Sequence, residues 1–226
     1  MVSWTKAQKG RHTCTIMHLR QGARGYLLII TSVYGYWGIP GENNIYLQEV
    51  IFMNIGVTEI SPREVQRAAE KNFKGGYYCC EALMCTIRDA FKLDVPKEVI
   101  AMSSGMAVGA GKSGCVCGAF NGGLLALGMF FGRTEQDGPT NPKSIKCMEL
   151  THELHDWFRK ANGKNAICCR VLTKEFNMGQ GEHKEQCIYF TGLCAWKVAQ
   201  IVCRELGIKN LDEIDEPAER RAIADI

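Results

Sequence analysis

The chain has 226 residues, of which 12 are cysteine, 24 glycine and 6 proline; 46% are hydrophobic and 23% charged. A cysteine share of about 5% is below the roughly 8–10% of small disulfide-built proteins, and a chain of this length can bury a core without such staples. No apolar run reaches the roughly 20 residues of a membrane-spanning helix. The composition therefore indicates one globular domain and no membrane partner.

The formal net charge of +3 comes entirely from residues 1–52. This segment carries five basic and two acidic side chains, whereas the remaining 174 residues carry 22 of each. Binding to DNA or RNA needs a local excess of basic side chains. We therefore expect no nucleic-acid partner.

Residues 1–52 also differ in kind from the rest of the chain. An apolar run, Tyr26 to Trp37, follows scattered arginines as in a secretory signal, but no small-x-small cleavage site follows it. Codons for Gln48-Glu49-Val50 can contain AGGAGGT, a ribosome-binding sequence lying just before the codon of Met53. We expect residues 1–52 to be a non-native or disordered extension and Met53 to be the native start.

From Met53 onward, the pattern predicts an all-α fold, a compact bundle of five to six helices over residues 53–210. Ser61-Pro62-Arg63-Glu64 is a capping box with proline at the first helical position, so a helix begins there and ends before Gly75. Apolar residues at helical spacing predict further helices at 77–91, 96–102, 115–131, 143–161 and 182–206. The apolar stripe of the helix at 143–161 includes Trp157 and Ala161. Residues 211–226 are expected to be a loosely ordered tail.

Glycine is concentrated in two stretches. Residues 103–114 hold four glycines, which predicts an irregular Gly-rich loop with close backbone approaches. The following helix repeats small residues at Gly118, Gly122 and Ala126. Because glycine in a helix costs up to about 1 kcal/mol relative to alanine, we expect a neighbouring helix or a buried cofactor to press against that face.

Eleven cysteines follow Met53, an odd number that cannot all pair within one chain. Four groups lie near predicted helix starts or loops, where backbone N–H groups favour thiolate over thiol. These groups are Cys79-Cys80, Cys115-x-Cys117, Cys168-Cys169 and Cys187. The others have no partner motif and are expected to be small apolar residues of the core: Cys85, Cys147, Cys194 and Cys203.

The spacing of the cysteines lacks the common metal and redox signatures. No Cys-x-x-Cys pair is present, which argues against a zinc ribbon and a thioredoxin-like site, and no Cys-x-x-Cys-His is present for c-type haem. His152 and His155 are three residues apart rather than the four of a zincin helix. We expect them to be helix-surface residues.

Several motifs in order resemble the C-GCAxxG-C-C family of redox-active proteins, over about residues 61–206. The resemblance rests on Tyr78-Cys79-Cys80-Glu81-Ala82, Cys117-Gly118-Ala119-Phe120-Asn121-Gly122, Cys169-Arg170-x-Leu172 and Glu185-Gln186-Cys187. It implies a compact helical domain whose separated cysteines work together. It also extends to split-Soret cytochromes, which carry an iron–sulfur centre as well as haem; the haem motif is missing here.

The resemblance implies an iron–sulfur cluster for electron transfer, held by Cys79, Cys117, Cys169 and Cys187, with Gly118 and Gly122 bringing backbone close to it. Three further thiols adjoin these positions and are alternate ligands: Cys80, Cys115 and Cys168. Two other functions stay open. One is thiol–disulfide exchange or sensing without a cofactor, and the other is a noncatalytic, metal-binding helical module.

The remaining expectations concern the surroundings of the protein. Free thiols fit the reducing cytoplasm, so we expect a cytoplasmic protein that is either an electron carrier or an oxidoreductase. A redox partner protein is expected, but its identity is not readable from the sequence. A homodimer stays open.

Overall fold

The computed structural model describes residues 55–178 and 180–226, together with two strands near the amino terminus. The strands, β1 (Ser3–Gln8) and β2 (Thr13–His18), form an antiparallel hairpin in which Ser3 lies opposite His18. They belong to one compact unit, and residues 51–226 form another. Most of the expected extension, including residues 19–52, lies outside the described residues, and its non-native origin stays a prediction.

The second unit is built from helices, which confirms the predicted all-α class. Five helices are long, as the predicted bundle of five to six requires: α1 (Pro62–Lys74), α2 (Cys79–Ala90), α4 (Gly118–Phe131), α5 (Pro142–Ala161) and α7 (Gly181–Leu206). Two single turns, α3 (Ala107–Ala110) and α6 (Cys169–Leu172), and a 3₁₀ helix (Lys97–Met106) connect them. Within residues 55–178 and 180–226, none of the helices is long and apolar enough to cross a bilayer.

Helix α7 forms the centre of the bundle, and α1, α2, α4 and α5 pack around it. Its middle is fully buried, including Leu193, Val198 and Ile201. Small residues allow the close approach that the sequence predicts. A Cβ atom on Gly122 would lie 3.0 Å from the Cα of Cys80 in α2, and one on Gly123 would lie 2.7 Å from Leu154 in α5.

The first and last segments of this unit lie together along α1. The N-cap Ser61 accepts a hydrogen bond from the N–H of Glu64 at 3.1 Å, as the capping box predicts. Beside it, β3 (Glu59–Ile60) pairs in parallel with β4 (Lys209–Asn210). The segment 211–226, expected to be loosely ordered, is held to α1: Gln66 and Ala218 exchange two hydrogen bonds of 2.8 and 2.9 Å.

Two predicted helix boundaries and one predicted buried position are wrong. The helix expected from Cys115 begins at Gly118, because the backbone of residues 115–117 pairs with residues 167–169 instead. The short helix after Pro96 is a 3₁₀ helix that continues to Met106. On α5, Ala161 is exposed and Phe158 is buried in its place.

Candidate functional site

Three helix N-termini and one side of α7 bring four cysteines into one neighbourhood. Cys79 is the first residue of α2, Cys117 immediately precedes α4, and Cys169 is the first residue of α6. Cys187 lies in the second turn of α7. The first turn of a helix has unpaired N–H groups and a partial positive charge, which stabilise a nearby thiolate. Burial opposes this effect, and the thiolate is favoured at Cys79 but not at Cys117 or Cys169.

Cys79 is the thiol that this arrangement makes most acidic. Its pKa is lowered from 9.0 to about 7, first because the thiol of Cys80 donates a hydrogen bond to it. Burial opposes the shift, while backbone N–H groups, including that of Val108, add to it. Cys79 is only 8% exposed, so this thiolate is formed inside the protein.

Cys80 serves Cys79 as a hydrogen-bond donor. Its pKa is raised, first because its proton is shared with Cys79 and then by burial. The Cys80 sulfur also lies 2.9 Å from the carbonyl oxygen of Ser103, a second acceptor for the same proton. Both contacts require the thiol form, so Cys80, an alternate ligand in the sequence analysis, here supports the neighbouring sulfur.

Cys117 and Cys187 are held as thiols in the structure. Burial is the main cause of the raised pKa of Cys117, and the charge of Cys79 adds to it; the N–H groups of Phe120 and Ala119 act in the opposite direction. Burial, followed by the charges of Cys79 and Cys169, raises the pKa of Cys187 to about 12. The charge of Cys79 raises both pKa values, as expected when its sulfur lies near those of Cys117 and Cys187.

His183 is a site residue that sequence reasoning missed. Its Nε2 lies 3.7 Å from the sulfur of Cys187, one helical turn further along α7. Burial lowers the pKa of His183 and so favours the neutral imidazole. The four-residue spacing to Cys187 was the available signal.

A short antiparallel bridge fixes Cys169 opposite Cys115, two residues before Cys117. Val116 pairs with Cys168, the N–H of Cys117 donates to the carbonyl of Ile167 at 2.8 Å, and that of Cys169 donates to the carbonyl of Cys115 at 2.5 Å. Burial, followed by the charge of Cys79, raises the pKa of Cys169. Two segments 50 residues apart thus meet at the site.

A left-handed turn closes the site from the loop side. Residues 108–112 all have positive φ, including Val108 at φ 52° and ψ 39°. Such angles are unfavourable for β-branched residues and persist only when surrounding contacts impose them. Gly109 shows the constraint: a Cβ atom there would lie 2.6 Å from the nitrogen of Cys115 and 2.8 Å from the Cβ of Cys169. The predicted irregular loop is therefore a tightly packed turn.

The two glycines predicted to face a cofactor make room for α2. A Cβ atom on Gly118 would overlap the sulfur of Cys79, and one on Gly122 would press on the backbone of Cys80. Gly118 therefore leaves space for the sulfur of Cys79, and Gly122 leaves space for the backbone of α2 at Cys80.

The spacing of the sulfurs restricts what the site can hold. Among the described residues, the one group of three or more potential metal ligands with donor atoms within 4.8 Å of one another is His152, His155 and Asp156. Tetrahedral zinc, with Zn–S bonds of about 2.3 Å, needs sulfurs less than about 4 Å apart. A polynuclear cluster spreads its ligands over different metal atoms and so does not require sulfurs this close together.

Three of the four cysteines predicted to be apolar are buried: Cys85, Cys194 and Cys203. Cys147 is half-buried. Of these four, Cys194 is the one that the site affects. Burial raises its pKa, and the charges of Cys117 and Cys79 add to the increase. On the outer face of α5, His152 is exposed, as predicted, while His155 is half-buried against the ring of Phe120.

Comparison with protein families gives one match. The model of a family described as "Putative redox-active protein (C_GCAxxG_C_C)" matches residues 77–201. The matched segment runs from just before Cys79 to α7 and contains all four cysteines of the site. No curated protein and no solved structure matches the chain.

Proposed function

The chain belongs to the C_GCAxxG_C_C family of redox-active proteins, and we propose that its cysteine site binds an iron–sulfur cluster and that the protein transfers electrons to a partner protein. The ligands would be Cys79, Cys117, Cys169 and Cys187. One observation supports the proposal: the four thiols come from four separate elements, and the charge of Cys79 raises the pKa values of the other three. Binding to iron removes that repulsion, because thiolates are its ligands.

The residues around the sulfurs fit a buried cluster. The N–H groups of Ala119 and Phe120 act on the Cys117 sulfur, and that of Val108 acts on the Cys79 sulfur. Hydrogen bonds of this kind tune the potential of a cluster and orient its ligands. Cys79, Cys117 and Cys169 are each at most 8% exposed, which keeps water away. When bound, the cluster would supply one-electron transfer.

The free thiols support a reducing compartment for this function. All eleven cysteines from Cys79 to Cys203 are unpaired. Thiols in this number stay reduced in the cytoplasm, where glutathione and thioredoxin act. We place the proposed electron transfer there.

A second candidate, dithiol–disulfide exchange without metal, is favoured by the low pKa of Cys79. A pKa of about 7 is characteristic of redox-active cysteines. However, exchange requires attack on a disulfide sulfur, and Cys79 is almost completely buried. The cluster therefore explains more of the site than exchange does.

Anaerobic reconstitution tests the proposal. The full chain, incubated with ferrous iron, sulfide and a thiol reductant and then desalted, should retain about two to four irons per chain with matching sulfide. It should be brown and bleach reversibly with dithionite. A colourless protein whose thiol titre changes reversibly with oxidant would establish exchange instead, and stoichiometric zinc without redox change would establish a binding module.

Two serine variants distinguish ligands from other buried thiols. Cys117→Ser should abolish iron retention, because it removes a ligand at the N-terminus of α4. Cys203→Ser should leave it intact, since Cys203 is equally buried, at 5% against 8% exposed, but lies near the far end of α7. Equal iron contents in the two variants would contradict the assigned ligands.

A further inference from the structure

Cys115 is an exposed thiol at the edge of the cysteine site. The other cysteines between Cys79 and Cys203 are buried or half-buried, so of these eleven thiols Cys115 is the one that a dissolved oxidant reaches first. The turn of residues 108–112 packs against its backbone, and the N–H of Cys115 donates to the carbonyl of Gly109 at 2.9 Å. Cys115 is therefore exposed at a fixed position.

Backbone register places Cys115 opposite Cys169. Val116 and Cys168 form the bridge, and the next residues outward are joined by the hydrogen bond from the N–H of Cys169 to the carbonyl of Cys115 at 2.5 Å. Residues directly opposite in an antiparallel pair have Cα atoms about 4.5–5.5 Å apart. Disulfides span Cα separations of about 4.4–6.8 Å. The two residues thus meet the distance requirement.

Side-chain alternation favours Cys169 over its neighbour as the partner of Cys115. Val116 and Cys168 lie opposite each other and share one face of the bridge, whereas Cys115, the next residue along, points to the other face. Cys169 begins α6 beside Cys115. The Cys168 thiol donates to the carbonyl oxygen of Gly114 at 3.1 Å. The nitrogen of Cys115 and the Cβ of Cys169 both lie within 2.8 Å of the point where a Cβ on Gly109 would be.

We propose that Cys115 is an oxidation site for hydroperoxides and that it passes the oxidation to Cys169 as a disulfide. The Cys115 sulfur attacks the peroxide, so that an S–O bond forms, the O–O bond breaks and one water or alcohol leaves. The Cys169 sulfur then attacks the sulfenic sulfur, the S–S bond forms and a second water leaves. Two electrons pass from two thiols to one peroxide, and an added dithiol reverses the step.

The disulfide would act on the function of the site. This consequence rests on the proposed cluster: Cys169 cannot bind iron while it is joined to Cys115, so oxidation would release the metal. Cys115 would then report peroxide to the buried site without being one of the four proposed ligands.

Peptide mapping of the iron-free full chain tests the disulfide alone. After brief treatment with hydrogen peroxide and blocking of the remaining thiols, trypsin releases Cys115 in the peptide 113–133 and Cys169 in the peptide 165–170. A cross-link between these peptides is expected, and it should disappear on reduction. Its absence would overturn the proposal.

Each of the two peptides contains a second cysteine, so variants identify the pair. Cys115→Ser and Cys169→Ser should each lose the cross-link, whereas Cys117→Ser and Cys168→Ser should keep it. If the cross-link were lost in Cys168→Ser and retained in Cys169→Ser, the partner of Cys115 would be Cys168, and the assignment to Cys169 would be overturned. Cys115 is exposed, so Cys115→Ser should leave folding unchanged.

Reconstituted protein tests the consequence separately. Peroxide should release iron several-fold more slowly from Cys115→Ser than from the unsubstituted chain, while Cys168→Ser should behave like the unsubstituted chain. Equal rates of iron release from all three proteins would overturn the proposal that Cys115 controls the release. Failure of the chain to take up any iron would instead contradict the proposed function and leave the disulfide mapping as the measure of the oxidation site.

Discussion

A Cβ atom on Gly118 would occupy the position of the Cys79 sulfur. The first residue of α4 must therefore lack a side chain for the first residue of α2 to place its thiol in the site. The two helix N-termini approach each other closely for this reason. N–H groups of α2 act on the Cys79 sulfur, and those of α4 act on the Cys117 sulfur. The glycine at this position thus leaves space for the Cys79 sulfur.

Gly118→Ala should destabilise the protein and disturb the site. The carbonyl of Met106, 3.3 Å from the added atom, and the Cα of Ala107, at 3.5 Å, limit any shift. Overpacking of this kind costs about 1–3 kcal/mol, and iron retention should fall as well. Gly128→Ala is the matched control on the same helix, where no atom lies within 4 Å. It should stabilise by up to about 1 kcal/mol. Urea unfolding gives the free energy of unfolding of both variants. Similar values for Gly118→Ala and Gly128→Ala would contradict the packing argument.

Gly109→Ala should be more damaging than Gly118→Ala. The added atom would lie 2.6 Å from the nitrogen of Cys115 and 2.8 Å from the Cβ of Cys169, and φ at this position is +71°. Backbone strain and overlap together should cost about 3 kcal/mol. Gly105→Ala, in the preceding 3₁₀ helix with nothing within 4 Å, should change the free energy of unfolding by less than about 1 kcal/mol. A tolerated Gly109→Ala would show that the turn can move.

The sequence predicts the long helices well because their signals are local. Ser61 and Glu64 lie within one turn of each other, and the apolar stripe of α7 is continuous. The start of α4 is different, since its true position depends on backbone pairing with Ile167, 50 residues away. Local periodicity cannot contain that information.

The candidate site likewise depends on contacts between distant residues that local sequence patterns do not contain. The set of four cysteines came from a family resemblance, and spacing alone gives no reason to join Cys79 to Cys187. The left-handed backbone of Val108 was not foreseeable either, because only contacts with the rest of the fold impose it. Likewise, the role of Cys80 as a donor depends on which way its thiol points, which the sequence does not encode locally.

The stability of the iron-free, reduced protein should pass through a maximum between pH 7 and 9. The pKa of Cys79 falls from 9.0 to about 7 on folding, so its contribution is complete above pH 9 and is lost as the pH falls through 7. The pKa of Cys187 rises to about 12, so its contribution is present below pH 9 and is lost as the pH rises above it. Cys117 acts in the same sense.

Serine variants separate the two limbs of this curve. Urea unfolding from pH 6 to 10 should show that Cys79→Ser removes the rise of the lower limb, which is on the order of 2 kcal/mol. Cys187→Ser should weaken the fall of the upper limb instead. If Cys79→Ser and the unsubstituted protein had equal slopes between pH 7 and 9, the thiolate of Cys79 would not exist in the folded state.

A carboxylate on α5 joins this helix to α7. Glu153 accepts hydrogen bonds from both terminal nitrogens of Arg204, at 2.9 and 2.7 Å, and its oxygen lies 2.8 Å from Nζ of Lys197. The Lys197 side chain is only 9% exposed. Glu153→Gln should therefore leave a nearly buried ammonium group without its counter-charge. Because Glu153 itself is partly exposed, we expect a loss of about 1–2 kcal/mol in the free energy of unfolding.

The matched control is Glu59→Gln, which removes an ion pair with Lys209 whose partners are both exposed. It should cost less than about 0.5 kcal/mol. The pH dependence distinguishes charge from packing. Hydrogen bonds from Arg204 are the main reason that the pKa of Glu153 falls from 4.5 to about 2, so its contribution is present above pH 4.5 and is lost as the pH falls towards 2. The difference between the unsubstituted protein and Glu153→Gln should therefore shrink below pH 4.5, and a difference that stayed constant would mean that shape, rather than charge, joins α5 to α7.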